Sequence, residues 1–307
     1  MTSPITLQQS QIEVGEHLGT LNYWNNSQST LSPIHFAHAN GFTAGTYQQM
    51  LGCLAQSRSV YALDHRATWQ NSPQTPAPQC DWASAADDLI AGLDIIRERH
   101  LHASGQVGVP EKFIGVGHSL GAVMTLIAAT RRPDLFEQII LIEPVLYPSA
   151  SLHVLKAMPL ALRYRYLKLA KRTLLRQDVW RDHHDFVQYH ASKPAFDGIS
   201  QGVMYDYARY GLKPHTDQSM AFVFPKTWEA HVFATIPNVW GYIKKLKVPC
   251  TCIRASDSER WVPLKSWDKW QKIRPDLPLL TLQGMGHLAP LQQPEKVADL
   301  IQSLLSQ

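Results

Sequence analysis

Phe113-Ile114-Gly115-Val116-Gly117-His118-Ser119-Leu120-Gly121 runs from a short apolar stretch into a serine that has glycine two residues away on each side. A hydroxyl presented on a sharp turn between a strand and a helix needs small neighbours, because a Cβ at either position would strike the adjoining chain. Phe113 to Val116 reads as the strand and Leu120 to Thr130, apolar all round, as a central buried helix. The five-residue pattern is easily imitated by chance; this strand-turn-helix setting is what gives it meaning.

Working outward, similar short apolar runs recur at Ile34-His35-Phe36-Ala37, Val60-Tyr61-Ala62-Leu63, Ile139-Ile140-Leu141-Ile142, Thr251-Cys252-Ile253 and Leu279-Leu280-Thr281-Leu282. Each reads as a strand buried on both faces, which implies parallel pairing. Between them, Trp82, Ala86, Leu89, Leu93 and Ile96 share a helical stripe behind an Asp81 N-cap, and a last helix starts at Pro294. Alternation of this kind predicts an α/β fold, a doubly wound and mostly parallel sheet. Gln11 to Val14 and Leu21 to Trp24 read instead as an antiparallel hairpin added at an edge.

The alternation stops after Pro144 and resumes near Val248, leaving about a hundred residues dense in aromatic side chains, Trp180, Tyr207, Phe222 and Trp228 among them. Residues 145–243 are therefore expected to form a mainly helical cap, with 1–144 and 244–307 making the core. Within it, Lys156 through Arg181 interleaves basic residues with leucines. The solvated outer face of cap helices is the preferred reading; contact with anionic substrates or a lipid surface is the alternative. Asp182-His183-His184-Asp185 is taken as surface, not as a metal site.

The chain has 307 residues, 45% hydrophobic and 18% charged, enough for a large core and too apolar for disorder. No segment approaches the roughly 18 apolar residues of a membrane span, and the N-terminus has no signal-like pattern, so a cytoplasmic protein without integral membrane contact is expected. A net charge of +4 is mild, and without recognition motifs it does not argue for nucleic acid. Four cysteines are too few for a disulfide scaffold; Cys250 and Cys252, alternating in an apolar run, read as buried small hydrophobes.

A serine hydroxyl is a weak nucleophile and needs a base. His287, in the loop Gly284-Met285-Gly286-His287 after the final strand, is the histidine placed at a strand's C-terminal end downstream of Ser119. An orienting carboxylate should lie between them in sequence. Asp257, after the preceding strand, is the first choice; Glu259 and Glu143 are the alternatives.

These residues resemble the α/β-hydrolase superfamily, in its serine-nucleophile esterase and lipase branch. The elbow around Ser119, Asp257 followed by Val262-Pro263, and Gly286-His287 stand in the superfamily's order, and Asp64-His65-Arg66 resembles its structural Asp-x-Arg turn. The oxyanion loop departs: in His38-Ala39-Asn40-Gly41-Phe42-Thr43, Asn40 stands where histidine is usual. The resemblance implies a helical cap at the observed insertion point and an oxyanion hole made by the backbone amides of Phe42 and Leu120, with Asn40 or Gly41 as other sources of the first donor.

The chain is accordingly expected to be an ester hydrolase acting through an acyl-enzyme on Ser119, with His287 as base and Asp257 as orienter, on a small-molecule substrate and without metal or organic cofactor. Acyl transfer, lactone opening and carbon-carbon bond hydrolysis use the same triad, and a ligand receptor that has kept it is the alternative from a different class.

Overall fold

Strands that are apolar on both faces are stable only inside a sheet covered on both sides. The computed structural model of the chain, which describes residues 5–104, 112–215 and 218–306, meets that demand with an eight-stranded sheet. Its strands are β1 (Gln8–Val14), β2 (His17–Trp24), β3 (Ile34–Ala37), β4 (Val60–Leu63), β5 (Phe113–His118) and β6 (Phe136–Ile142). Three short strands follow in the insertion, β7 (Val179–Trp180), β8 (Leu212–Pro214) and β9 (Met220–Phe222), before β10 (Cys250–Ala255) and β11 (Leu279–Leu282) return to the sheet.

The sheet order is β1-β2-β4-β3-β5-β6-β10-β11. From β4 to β11 all neighbours are parallel, and the β1–β2 hairpin joins antiparallel to β4. Every residue of β3, β4 and β5 is buried, as their composition demands. β11 differs from its expected double burial: it has one neighbour, and Thr281 is exposed. Helices Trp82–Ser104 and Leu120–Arg131 pack together on one side of the sheet, and Gln48–Ala55 and Pro294–Leu305 on the other. Asp81 caps the first of these through Oδ1, which accepts from the amides of Ala83 and Ser84 at 2.9 and 3.1 Å. Cys250 and Cys252 are buried and free.

The segment between β6 and β10 is mostly helical, with six helices from Ser149–Ala157 to Lys226–Ala234. It also carries a small antiparallel sheet, β7-β9-β8, that its sequence does not announce, since strands of two or three residues are too short to show a period. This segment packs down on the sheet's C-terminal loops. Tyr207, Phe224 and Trp228 join the core cluster of Phe42 and Tyr47, and Val232, Ile236 and Trp240 join the cluster on the other side. The following helix, Trp240–Lys245, packs against Leu120–Arg131.

The glycines around Ser119 are required by space. A Cβ on Gly121 would stand 2.0 Å from the carbonyl oxygen of Ala37, and one on Gly117 would stand 2.4 Å from that of Gly121. Gly121→Ala should therefore lower stability by about 1–3 kcal/mol or more, by forcing β3 and the central helix apart. Gly52→Ala, in helix Gln48–Ala55 with nothing within 4 Å, should raise it by roughly 0.5–1 kcal/mol. Denaturant midpoints of the two variants test this; equal midpoints would remove the packing argument.

Candidate active site

β5 ends one residue before Ser119, which leaves the strand at φ 56° and ψ −112° and becomes the N-cap of Leu120–Arg131. Such a backbone is strained for a residue with a Cβ, and here it lifts the hydroxyl off the sheet's edge. At the end of β6, Glu143 also has positive φ, 53°, and is completely buried. β11 leads into a turn at Gly284, φ 67°, that delivers His287.

These three meet. His287 Nε2 lies 2.9 Å from Ser119 Oγ, and His287 Nδ1 lies 2.9 Å from Glu143 Oε2. With the hydroxyl donating to Nε2, Nδ1 carries the proton and donates to the carboxylate. Glu143 is held by further donors: the amide of Ala255 reaches Oε1, and Ser258 Oγ donates to Oε2. Burial pushes the imidazole of His287 down to about 3, which keeps it neutral. Burial also pushes Glu143 up to about 8, against the pull of Ser258, the Ala255 amide and the Arg254 charge, all of which favour the carboxylate.

Asp257, the sequence's first choice for the acid, is elsewhere. It is exposed, its Oδ1 accepts from Ser256 Oγ at 2.8 Å, and its amide donates to Met285 O at 3.0 Å. Glu259 pairs with Arg254 at 3.1 Å and accepts from the amide of Leu264. The carboxylate beside His287 is Glu143, because its left-handed backbone turns the side chain beneath the histidine loop. A signal was present: Glu143 directly follows four apolar residues of a core strand, whereas Asp257 and Glu259 sit in a polar run.

The loop that follows β3, from His38 to Thr43, is pinned from below. Asp64 Oδ1 accepts from the amide of Ala44 at 2.7 Å, and His38 accepts from the amide of His65 at 2.9 Å through Nε2 while donating to Ala39 O through Nδ1. Arg66 pairs with Asp88. Leu120 is the first residue of its helix, so its amide has no helical carbonyl to meet. The amide of Phe42 closes a turn on Ala39 O at 3.3 Å, with Gly41 at φ 80°.

Two further residues, which the sequence did not single out, connect these loops. His118 Nε2 donates to the carbonyl of His287 at 2.8 Å, and its Nδ1 accepts from Tyr47 OH at 2.8 Å; the Tyr47 oxygen accepts in turn from the amide of Ala39 at 3.4 Å. Burial pushes His118 down to about 3, so the ring bridges as a neutral group.

Trp261 stacks on His287 at 4.8 Å between ring centroids, and Phe233 stacks on Trp261 at 6.1 Å. Beside this stack opens a cavity of about 250 Å³, lined by Tyr147, Leu152, Leu155, Leu167, Phe233 and Arg260. A second of about 150 Å³ lies against Asn40 and Phe42, with Arg176, His190 and Glu229 on its walls. Asp182 caps helix His183–Ala191 by accepting from Asp185 N at 2.8 Å; among the described residues no group of His, Cys, Asp or Glu is arranged for a metal ion. No helix among them is long and apolar enough to cross a membrane.

The family model of the alpha/beta hydrolase family matches residues 36–300. Among solved structures, E-2-(acetamidomethylene)succinate hydrolase is similar at 19% identity and TM-score 0.77, covering 98% of this chain and 100% of that one. A thioesterase domain from the curacin biosynthetic pathway matches at 17% identity and TM-score 0.73, over 97% and 99% of the two chains. An esterase of M. tuberculosis matches at 15% identity and TM-score 0.69, over 100% and 94%. At such identities the likeness concerns the fold. No curated protein matches by sequence.

Tyr47→Phe should cost about 1–3 kcal/mol, because it leaves His118 Nδ1 buried without a donor. Thermal or denaturant unfolding checks this; an unchanged stability would mean that the hydroxyl does not complete the bridge.

Proposed function

The chain belongs to the alpha/beta hydrolase family, and from the geometry of its site we propose that it is a serine hydrolase cleaving an ester bond through an acyl-enzyme on Ser119. The observation that carries this reading is the line Ser119 Oγ, His287, Glu143, with both hydrogen bonds at 2.9 Å. His287 Nε2 takes the proton as Oγ attacks the acyl carbon, and the Glu143 carboxylate holds the Nδ1–H tautomer and stabilises the imidazolium that forms. The amide of Leu120 and that of Phe42, exchanging its 3.3 Å bond within the loop, hold the oxyanion. His287 then returns the proton to the departing alcohol, and water repeats the sequence to free the acid. The chemistry draws on side chains and backbone alone.

The cavity beside Trp261, about 250 Å³, is mainly apolar. A small to medium apolar arm of the substrate fits it. The residues around the triad lie under the 145–243 segment, which we read as a cap that sets specificity.

Fluorophosphonate labelling tests the nucleophile: the folded chain should label and Ser119→Ala should not. Equal labelling of both, or none of either, would favour a binding role. Glu143→Gln should lower kcat about 10⁴-fold, while Asp257→Asn stays near the parent; the reverse pattern would overturn the assignment of the acid.

The working pair, neutral His287 with ionised Glu143, carries one negative charge, and the first proton it gains removes either the base or the orienting charge. Activity should accordingly rise with pH along a limb that belongs to the pair. Ser258→Ala removes a donor that favours the carboxylate, so that limb should move to higher pH. A limb that stays in place, or moves down, would disconnect Glu143 from the reaction.

A further inference from the structure

We propose that helices Ser149–Ala157, Leu160–Tyr166 and Lys168–Leu174 form a face that docks on an anionic lipid bilayer, with the apolar cavity beside Trp261 opening between them to receive an acyl chain. The docking stands on the surface itself; only the fate of the chain rests on the reading of Ser119 as a nucleophile.

Between Glu143 and Asp178 the chain has three Lys and four Arg and neither Asp nor Glu. Solvated surfaces of soluble domains interleave both signs, and this one does not. Two of the seven are used inward. Arg163 donates to the carbonyls of Lys156, Met158 and Ala234, and Arg176 pairs with Glu229 at 2.8 Å and donates to Phe224 O. The other five, Lys156, Arg165, Lys168, Lys171 and Arg172, are exposed and have no acidic partner among the described residues.

Apolar side chains stand out among these charges. Val154, Leu162, Tyr166 and Leu175 are 69%, 40%, 63% and 77% exposed, and they are four of the eight large hydrophobic residues left exposed on the described chain. Spacing places them with the cations: Leu162 and Tyr166 are one turn apart, and Lys168, Lys171, Arg172 and Leu175 follow the i, i+3, i+4, i+7 stripe. Apolar residues projecting from a cationic helical surface insert at the headgroup boundary while the charges meet anionic lipid.

Residues of the same helices also line the cavity, with Lys168 at its border with the outer face. Leu152, Leu155, Leu167 and Leu169 come from them and from the link between them, and Lys168 and Arg260 carry charge there. A lipid surface seated on this face would have its acyl chains next to Phe233, and through the Phe233–Trp261–His287 stack next to the site. A small soluble anion would use Lys168 and Arg260 alone and would leave the exposed leucines, Val154 and Tyr166 unexplained.

The test is sedimentation of the full chain with phosphatidylcholine vesicles, with and without phosphatidylserine, at low and moderate salt. Binding should require phosphatidylserine and weaken as salt rises. Lys171→Gln with Arg172→Gln should weaken it about 30-fold, and Tyr166→Ser with Leu175→Ser should weaken it as well, while hydrolysis of a water-soluble short-chain ester is unchanged. Failure to sediment, or binding unaffected by either pair, would overturn the proposal. So would saturable binding of a soluble alkyl phosphate without vesicle binding, which would assign the cations to a small anionic substrate. Ser119→Ala should bind vesicles as the parent does, so loss of the hydrolase reading and loss of the docking reading give different results.

Discussion

A carboxylate with no exposure to solvent has to be surrounded by donors, and Glu143 organises its neighbourhood on that condition. β10 supplies the Ala255 amide, the loop beyond it supplies Ser258, and the turn after β11 supplies His287. Two separate parts of the chain, 255–258 and the turn at His287, are thereby registered on one side chain. Deleting a partner from such a set leaves an uncompensated buried group, which typically costs 3–5 kcal/mol where a charge is involved. The same arrangement that stabilises the carboxylate also fixes the tautomer of His287.

Strain is concentrated at the two ends of that relay. Ser119 and Glu143 both have φ above +50°, and neither is a glycine. A positive φ at a residue with a Cβ costs on the order of 1–3 kcal/mol and persists only where packing enforces it. For Ser119 the enforcement is the approach of Gly121 to Ala37 and of Gly117 to the central helix. For Glu143 it is the donor set just described, together with its amide, which donates to Ile253 O at 2.7 Å on the neighbouring strand.

The elbow, the strands and His287 were legible because their signals are local. Two glycines flanking a serine between an apolar run and an apolar helix describe one steric situation, and β3 and β4 are buried throughout as their composition requires. The carboxylate beside His287 was harder to read, since three carboxylates end or follow core strands and the choice depends on which one curls under a loop more than a hundred residues later. Burial separates them: Glu143 continues an all-apolar strand, and a charge there is tolerated only with partners. His118 and Tyr47 escaped for a related reason, as a bridge from the Ala39 amide to the His287 carbonyl joins four positions with no shared sequence pattern.

The departure at Asn40 finds its reason in the same way. Asn40 Nδ2 donates to the carbonyl of Glu229 at 3.1 Å, Tyr207 OH donates to Gly41 O at 3.1 Å, and Thr43 Oγ1 donates to Tyr210 O at 3.3 Å. All three acceptors or donors opposite the loop come from the segment between β6 and β10. The loop is thereby fixed to the segment above it as well as to its own sheet, and the short Asn40 amide spans the gap to Glu229. Glu229 is itself held by Arg176, which packs over Phe222 at 4.4 Å. The position of the loop from Asn40 to Thr43 thus depends on the small β7-β9-β8 sheet as well as on the main one.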